Sequence, residues 1–190
     1  MRSSESTPNP SANGIPALWL LVVGDDHPRA CTGRRLLQHT LALPTPAQRA
    51  LRPHPIILDP FAPDPLSLRD RATALRGGIL GVDCSWNVLG ERGAYLAAPA
   101  LGSKRSGHRR LPFLMATNPQ HFGRIGELNT AEALAAALFV LGYEAAARRL
   151  LDGFAGGRSF FEVNRARLDA YRGRPDPAEM RAAERVVFSA

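Results

Sequence analysis

Lysine is almost missing from this sequence: Lys104 stands alone among 24 basic residues, and the others are arginine. Ala, Pro and Gly are also abundant, so the bias reads as genome-wide nucleotide composition as much as function. Cysteine is scarce too. Cys31 and Cys84 are too few for a disulfide framework and have no C-x-x-C spacing for zinc, which fits a reducing cytoplasm. The apolar stretch 15–23 is too short to span a bilayer. Gly24-Asp25-Asp26 follows it where a secretory leader would need a small-residue cleavage site. A soluble protein without membrane association is expected. Walker A, G-x-G-x-x-G, H-E-x-x-H and G-x-S-x-G patterns are all missing, which removes the common nucleotide, metalloprotease and hydrolase readings. His27, His39, His54, His108 and His121 are scattered without ligand spacing, so no metal is expected.

What is present suits a globular fold. At 190 residues and 45% apolar composition, the chain can bury the core of one compact domain, or of two small ones sharing an interface. A formal charge of +7 and a pI near 10.6 favour an anionic partner, because a positive field speeds association with nucleic acid.

Residues 1–14, rich in Ser, Pro and Asn, read as a disordered leader. Residues 15–116 read as an α/β domain: strands at Ala17–Val23, Pro55–Leu58, Gly78–Val82 and Leu111–Ala116, with helices at Gly33–Leu43 and Leu66–Leu75. Continuous apolar strands separated by helices imply a parallel sheet covered on both faces. Residues 117–190 read as helical, with helices at Ala131–Leu141, Glu144–Leu151, Ser159–Tyr171 and Pro177–Val187. The first of these has a start signal in Asn129 with Glu132 three residues on, and a stop signal in Gly142. Leu101–Arg110 reads as a flexible basic loop, the densest positive patch.

Open parallel sheets hold ligands at the carboxyl ends of their strands, and three polar clusters fall there. The first joins Asp25-Asp26-His27-Pro28 to Cys31-Thr32-Gly33-Arg34-Arg35, a strand exit leading into a helix start. Its plain alternative is a capped loop with solvated arginines. The second is Asp83-Cys84-Ser85-Trp86-Asn87. There a carboxylate could accept from a ligand amine or take a proton, and an aromatic ring could face a sulfonium or an adenine. A capping Asp beside a core Trp is the alternative. The third runs from Arg109-Arg110-Leu111-Pro112-Phe113-Leu114 through Asn118-Pro119 to Asn129-Thr130-Ala131-Glu132, and taken alone is more often structural.

In this order the clusters resemble the small-subunit ribosomal RNA aminocarboxypropyltransferase family. The likeness continues through Ala116-Thr117-Asn118-Pro119, Phe122-Gly123, Leu128 to Leu138 and Phe160-Phe161-Glu162-Val163-Asn164-Arg165, spanning residues 18–171. The resemblance implies a fold similar to knotted RNA methyltransferases (SPOUT-like): a parallel-sheet domain plus an all-helical C-terminal domain, threaded as a deep trefoil knot. Such threading runs against the usual rule that chains do not knot.

The implied reaction moves the 3-amino-3-carboxypropyl group of S-adenosylmethionine (SAM) to the imide nitrogen of a pseudouridine, with or without prior N1-methylation, and releases 5'-methylthioadenosine. No metal enters it. By resemblance the SAM contacts fall on Thr32, Val82, Leu111 and Thr130, with Asp83 and Trp86 beside the reacting end and Leu58 in the same pocket. Asp83 and Trp86 are the catalytic candidates, Asp83 as base or as orienting group. Gly126 stands where many relatives carry an aromatic residue, so a contact there would be through backbone. The extended basic loop 102–108 also departs from the family. Arg34, Arg35, Lys104, Arg105, Arg109 and Arg110 are the expected RNA contacts, small-subunit rRNA or a pre-ribosomal subunit the expected partner, and a monomer the expected state. Two rivals remain: a methyltransferase of the same fold, which would release S-adenosylhomocysteine, and a non-catalytic ribosome assembly factor, which would bind no SAM.

Overall fold

The computed structural model describes residues 14–22, 32–45, 54–84, 86 and 107–189. Most of the expected leader, Asp26-His27-Pro28, Cys31, Lys104 and Arg105 lie outside them.

Five strands form one parallel sheet: β1 (Leu18–Val22), β2 (Leu43–Pro44), β3 (Ile56–Leu58), β4 (Ile79–Asp83) and β5 (His108–Arg109). Their order is β2-β1-β4-β3-β5, with Leu18 opposite Ile79, Ile56 opposite Ile79 and Ile57 opposite His108. Side chains alternate between the faces, as the strand period requires. Leu20, Ile56, Leu58 and Ile79 enter the main core with α1 (Thr32–Gln38) and α3 (Thr130–Val140), while Trp19, Ile57 and Leu80 build a second cluster opposite. Both faces are buried, which is why these strands read as unbroken apolar runs. Trp19 is further fixed by its indole N–H, which donates to the Gly77 carbonyl at 3.0 Å. Gly77 ends α2 (Arg71–Gly77), which follows a 3-10 turn at Leu68–Asp70.

Helix α3 packs across β4 because Gly81 has no side chain there; a Cβ would press on Leu134 at 3.3 Å. Its start is the expected capping box: Asn129 Oδ1 accepts from the Glu132 amide, and Glu132 Oε2 accepts from the Asn129 amide, both at 2.9 Å. Gly142 follows the helix at φ 85°. Helix α4 (Glu144–Leu151) matches its expected bounds.

Four expectations need correction. The helix expected over Gly33–Leu43 stops at Gln38, since Thr40 turns to φ 52°, and Leu43 lies in β2 instead. Leu111–Ala116 is not a strand; the ladder ends with β5 and isolated bridges at Arg110 and Met115. Pro112 has no N–H to offer a ladder, and the segment's polar groups are met partly by the loop that follows, where Ala116 donates to the Arg124 carbonyl at 2.8 Å and Leu114 accepts from the Gly126 amide at 2.9 Å, and partly by helical side chains. Asn164 Oδ1 accepts from the Met115 amide at 2.7 Å and its Nδ2 donates to the Met115 carbonyl at 2.9 Å. The same Asn164, fully buried, breaks the single helix expected over Ser159–Tyr171 into α5 (Gly157–Val163) and α6 (Arg165–Tyr171). Finally, His108 and Arg109 do not belong to a flexible loop. His108 is buried in β5, its Nδ1 2.8 Å from Asp59 Oδ2. The last helix, α7 (Pro177–Ser189), runs two residues beyond its expected end.

Candidate functional site

Leu58 ends β3 on the main-core face, and Val82, near the end of β4, belongs to the opposite cluster. A cleft lined by both must lie across the carboxyl ends of the strands, where such sheets bind ligands. Leu58, Val82, Trp86, Leu111 and Gly126 line it together, joined by Pro60, Arg110, Pro112, Phe113, Leu128 and Ala133. Five expected SAM contacts from four separate stretches of sequence therefore converge. Pro60, Leu128 and Ala133 carried no polar signal that a sequence reading could seize.

Of the remaining three expected contacts, Asp83 and Thr130 meet one step away, and Thr32 precedes the glycine that joins them. Asp83 Oδ1 accepts from the Thr130 hydroxyl and its Oδ2 from the Gly33 amide at 3.1 Å. Thr32 and Gly33 open α1, and Thr130 opens α3, so one carboxylate ties two helix starts to the end of β4. Gly33 lets it come so close, since a Cβ there would collide with the Asp83 carboxylate. The glycine of Cys31-Thr32-Gly33 thus serves an approach within the protein.

Trp86 is half-buried against the second cluster and donates its indole N–H to the Leu128 carbonyl at 3.1 Å. That bond orients the ring along the cleft and ties it to the segment before α3. Gly126, also in the lining, adopts φ 82° and is exposed, presenting backbone to the cleft.

The polar frame beneath the cleft was only half legible. Glu132 reads as a capping residue, yet its carboxylate also accepts from the Thr117 amide at 2.8 Å, the Thr117 hydroxyl at 2.9 Å and Asn118 Nδ2 at 2.7 Å. Tyr171 donates its hydroxyl to the Phe113 carbonyl at 3.0 Å. Burial, and next the nearby Glu184 charge, push that phenol up to about 12, so it remains a donor throughout neutral pH.

The expected RNA arginines divide. Arg109 pairs with Asp70 at 3.0 Å, and Arg110 holds Glu184 through both terminal nitrogens at 2.6 and 2.8 Å. Arg35 donates to the Gly153 carbonyl at 2.8 Å with its guanidinium 4.9 Å from the Phe154 ring centre. Arg34 is exposed. Arg35, Arg109 and Arg110 thus make contacts within the protein, and the last two bind carboxylates. Among the described residues, no three His, Cys, Asp or Glu side chains come together as a metal site, and no helix is long and apolar enough to cross a membrane.

Comparison with known proteins gives the family. The family model described as ribosome biogenesis protein, C-terminal, matches residues 56–188. The chain is 37% identical over 172 residues to the 16S rRNA aminocarboxypropyltransferase of Methanosarcina acetivorans, covering 90% of this chain and 94% of that protein. It is 38% identical to the protein of the same name from Methanopyrus kandleri, over 82% and 89% of the two chains. A solved structure, the SAM-dependent rRNA acp-transferase Tsr3 from Vulcanisaeta distributa, superposes with a TM-score of 0.73 at 29% identity, covering 93% of this chain and all of the other. With these relatives spanning nearly its whole length, the chain belongs to the family of the 16S rRNA aminocarboxypropyltransferases.

Proposed function

We propose that this protein transfers the 3-amino-3-carboxypropyl group of SAM to the imide nitrogen of a pseudouridine in small-subunit rRNA, releasing 5'-methylthioadenosine. The observation that carries this reading is the apolar cleft across the ends of β3 and β4, walled by Trp86, in a chain of this family. Its lining fits the donor. Leu58, Val82, Leu111 and Ala133 offer aliphatic surface to a purine, and the Trp86 ring is suited to a sulfonium.

All three carbons on a sulfonium sulfur are electrophilic, so the outcome depends on which one the nucleophile faces. In this chain the selection falls to the parts that fix the donor's orientation: the anchored Trp86 ring, and the starts of α1 and α3 joined through Asp83. Both Asp83 oxygens already accept hydrogen bonds, which favours the orienting role over that of proton acceptor. The imide proton then passes to solvent or to the RNA.

The proposal extends to the chain's path and setting. A trefoil knot would thread the C-terminal helices through the segment that Asn164 and Tyr171 clasp, and a reducing cytoplasm suits a chain with two cysteines. The reading is tested by mass spectrometry of rRNA nucleosides from a strain lacking the gene. The aminocarboxypropylated nucleoside should vanish and return with the wild-type gene; its persistence would refute the assignment.

A further inference from the structure

At the mouth of the cleft, Phe113 and Phe188 meet edge to face, with ring centres 5.7 Å apart and planes at 88°. They come from distant segments, the lining stretch after β5 and the last turn of α7. A buried pair of this kind is ordinary core, but these residues are 42% and 48% exposed. Each is backed by an arginine: the Arg110 guanidinium lies 5.0 Å from the Phe113 ring centre and that of Arg167 lies 5.7 Å from Phe188. The two cations differ. Arg110 is held by Glu184, whereas Arg167 makes no ion pair among the described residues, and its Nε is buried without a partner.

Phe113 also lines the cleft, so the platform is continuous with the site. An aromatic surface that stays wet beside an uncommitted guanidinium, on a chain of charge +7, suits a partner with flat apolar faces and an anionic backbone. That is single-stranded RNA, whose unstacked bases lie on aromatic side chains while arginine meets phosphate. A base inside a duplex is out of reach of such a pocket, and extruding it exposes its neighbours as well.

Resting on the activity proposed above, we infer that the Phe113–Phe188 pair is a stacking platform for the nucleotide next to the target, with Arg167 serving that nucleotide's phosphate. Specificity for an unpaired target then comes in part from this surface outside the cleft.

The test uses the full chain and fluorescein-labelled oligouridylate, with a labelled RNA duplex as control and SAM binding followed by calorimetry. Phe188 does not line the cleft and is about half exposed, so its truncation should spare the fold. Phe188→Ala should weaken oligouridylate binding about tenfold, within the range set by losing one base–aromatic stack. Duplex binding and SAM affinity should stay at wild-type values, and Phe188→Tyr should restore the oligouridylate. Arg167→Gln should lower the salt dependence of the same binding. Wild-type oligouridylate affinity in Phe188→Ala, or equal losses for strand and duplex, would overturn the platform; the first result would leave the patch to a protein partner. If Phe188→Ala loses oligouridylate while the wild type transfers no aminocarboxypropyl group, the platform stands and the activity assignment falls.

Discussion

Asp83 was singled out as the carboxylate where β4 runs out and by the family resemblance, and neither could reveal what its oxygens do. In the fold they are spent on the Gly33 amide and the Thr130 hydroxyl. Asp83→Asn can still accept from Gly33 and donate to Thr130, so it should keep most of the transfer rate. Asp83→Ala leaves both donors unmet and should lower the unfolding free energy by about 1–3 kcal/mol, with SAM affinity falling as the helix starts drift. Chemical denaturation and calorimetry on the two variants measure this; complete loss of turnover in a fully stable Asp83→Asn would restore the proton-acceptor role. For Trp86, truncation to Ala should weaken SAM binding by about 0.5–2 kcal/mol from the lost cation–π attraction alone, with more from the lost apolar wall. An unchanged calorimetric affinity would make Trp86 a core residue.

Among the elements, those governed by local rules were legible. The Asn129–Glu132 box, Gly142 and the apolar runs of β1, β3 and β4 place α3 and the sheet close to where they stand. Elements shaped by distant partners were not. The sequence Leu111–Ala116 looks like a strand, but the loop through Gly126 together with Asn164 and Tyr171, some 49 and 58 residues away along the chain, makes it an irregular clasped segment. The second duty of Glu132, holding Thr117 and Asn118, is equally invisible to a capping rule. Glu132→Ala should therefore cost about 3 kcal/mol, well above the roughly 1 kcal/mol of an ordinary cap loss, and urea titration separates these values. The Tyr171 phenol gives a pH signature. Its folded pKa is raised above the unfolded value of about 10, so its contribution is full below that and is lost as pH rises toward about 12. The urea midpoint of wild type should drop across this window more than that of Tyr171→Phe.

For the whole molecule, the net charge of +7 pointed to an anionic partner, but charge counts do not say which cations are spent internally. Arg109 and Arg110 sit in a basic run and still turn inward, onto Asp70 and Glu184. Arg109→Ala should destabilise the protein and leave the salt slope of RNA affinity unchanged. Arg167→Gln should lower that slope by about 0.7–0.9, the counterion release of one phosphate contact; fluorescence anisotropy over a range of salt compares the two. The site itself was largely readable because its lining comes from strand ends and helix starts, which sequence punctuation marks, and the family resemblance supplied the order. The mouth of the cleft, built where α7 returns to meet Phe113, had no such marks. The central claim, that the cleft directs the aminocarboxypropyl carbon and not the methyl to RNA, is tested most directly by incubating the purified protein with SAM and small-subunit rRNA lacking the modification. The account predicts 5'-methylthioadenosine and an RNA mass gain equal to one aminocarboxypropyl group; S-adenosylhomocysteine with a methyl-sized gain would contradict it.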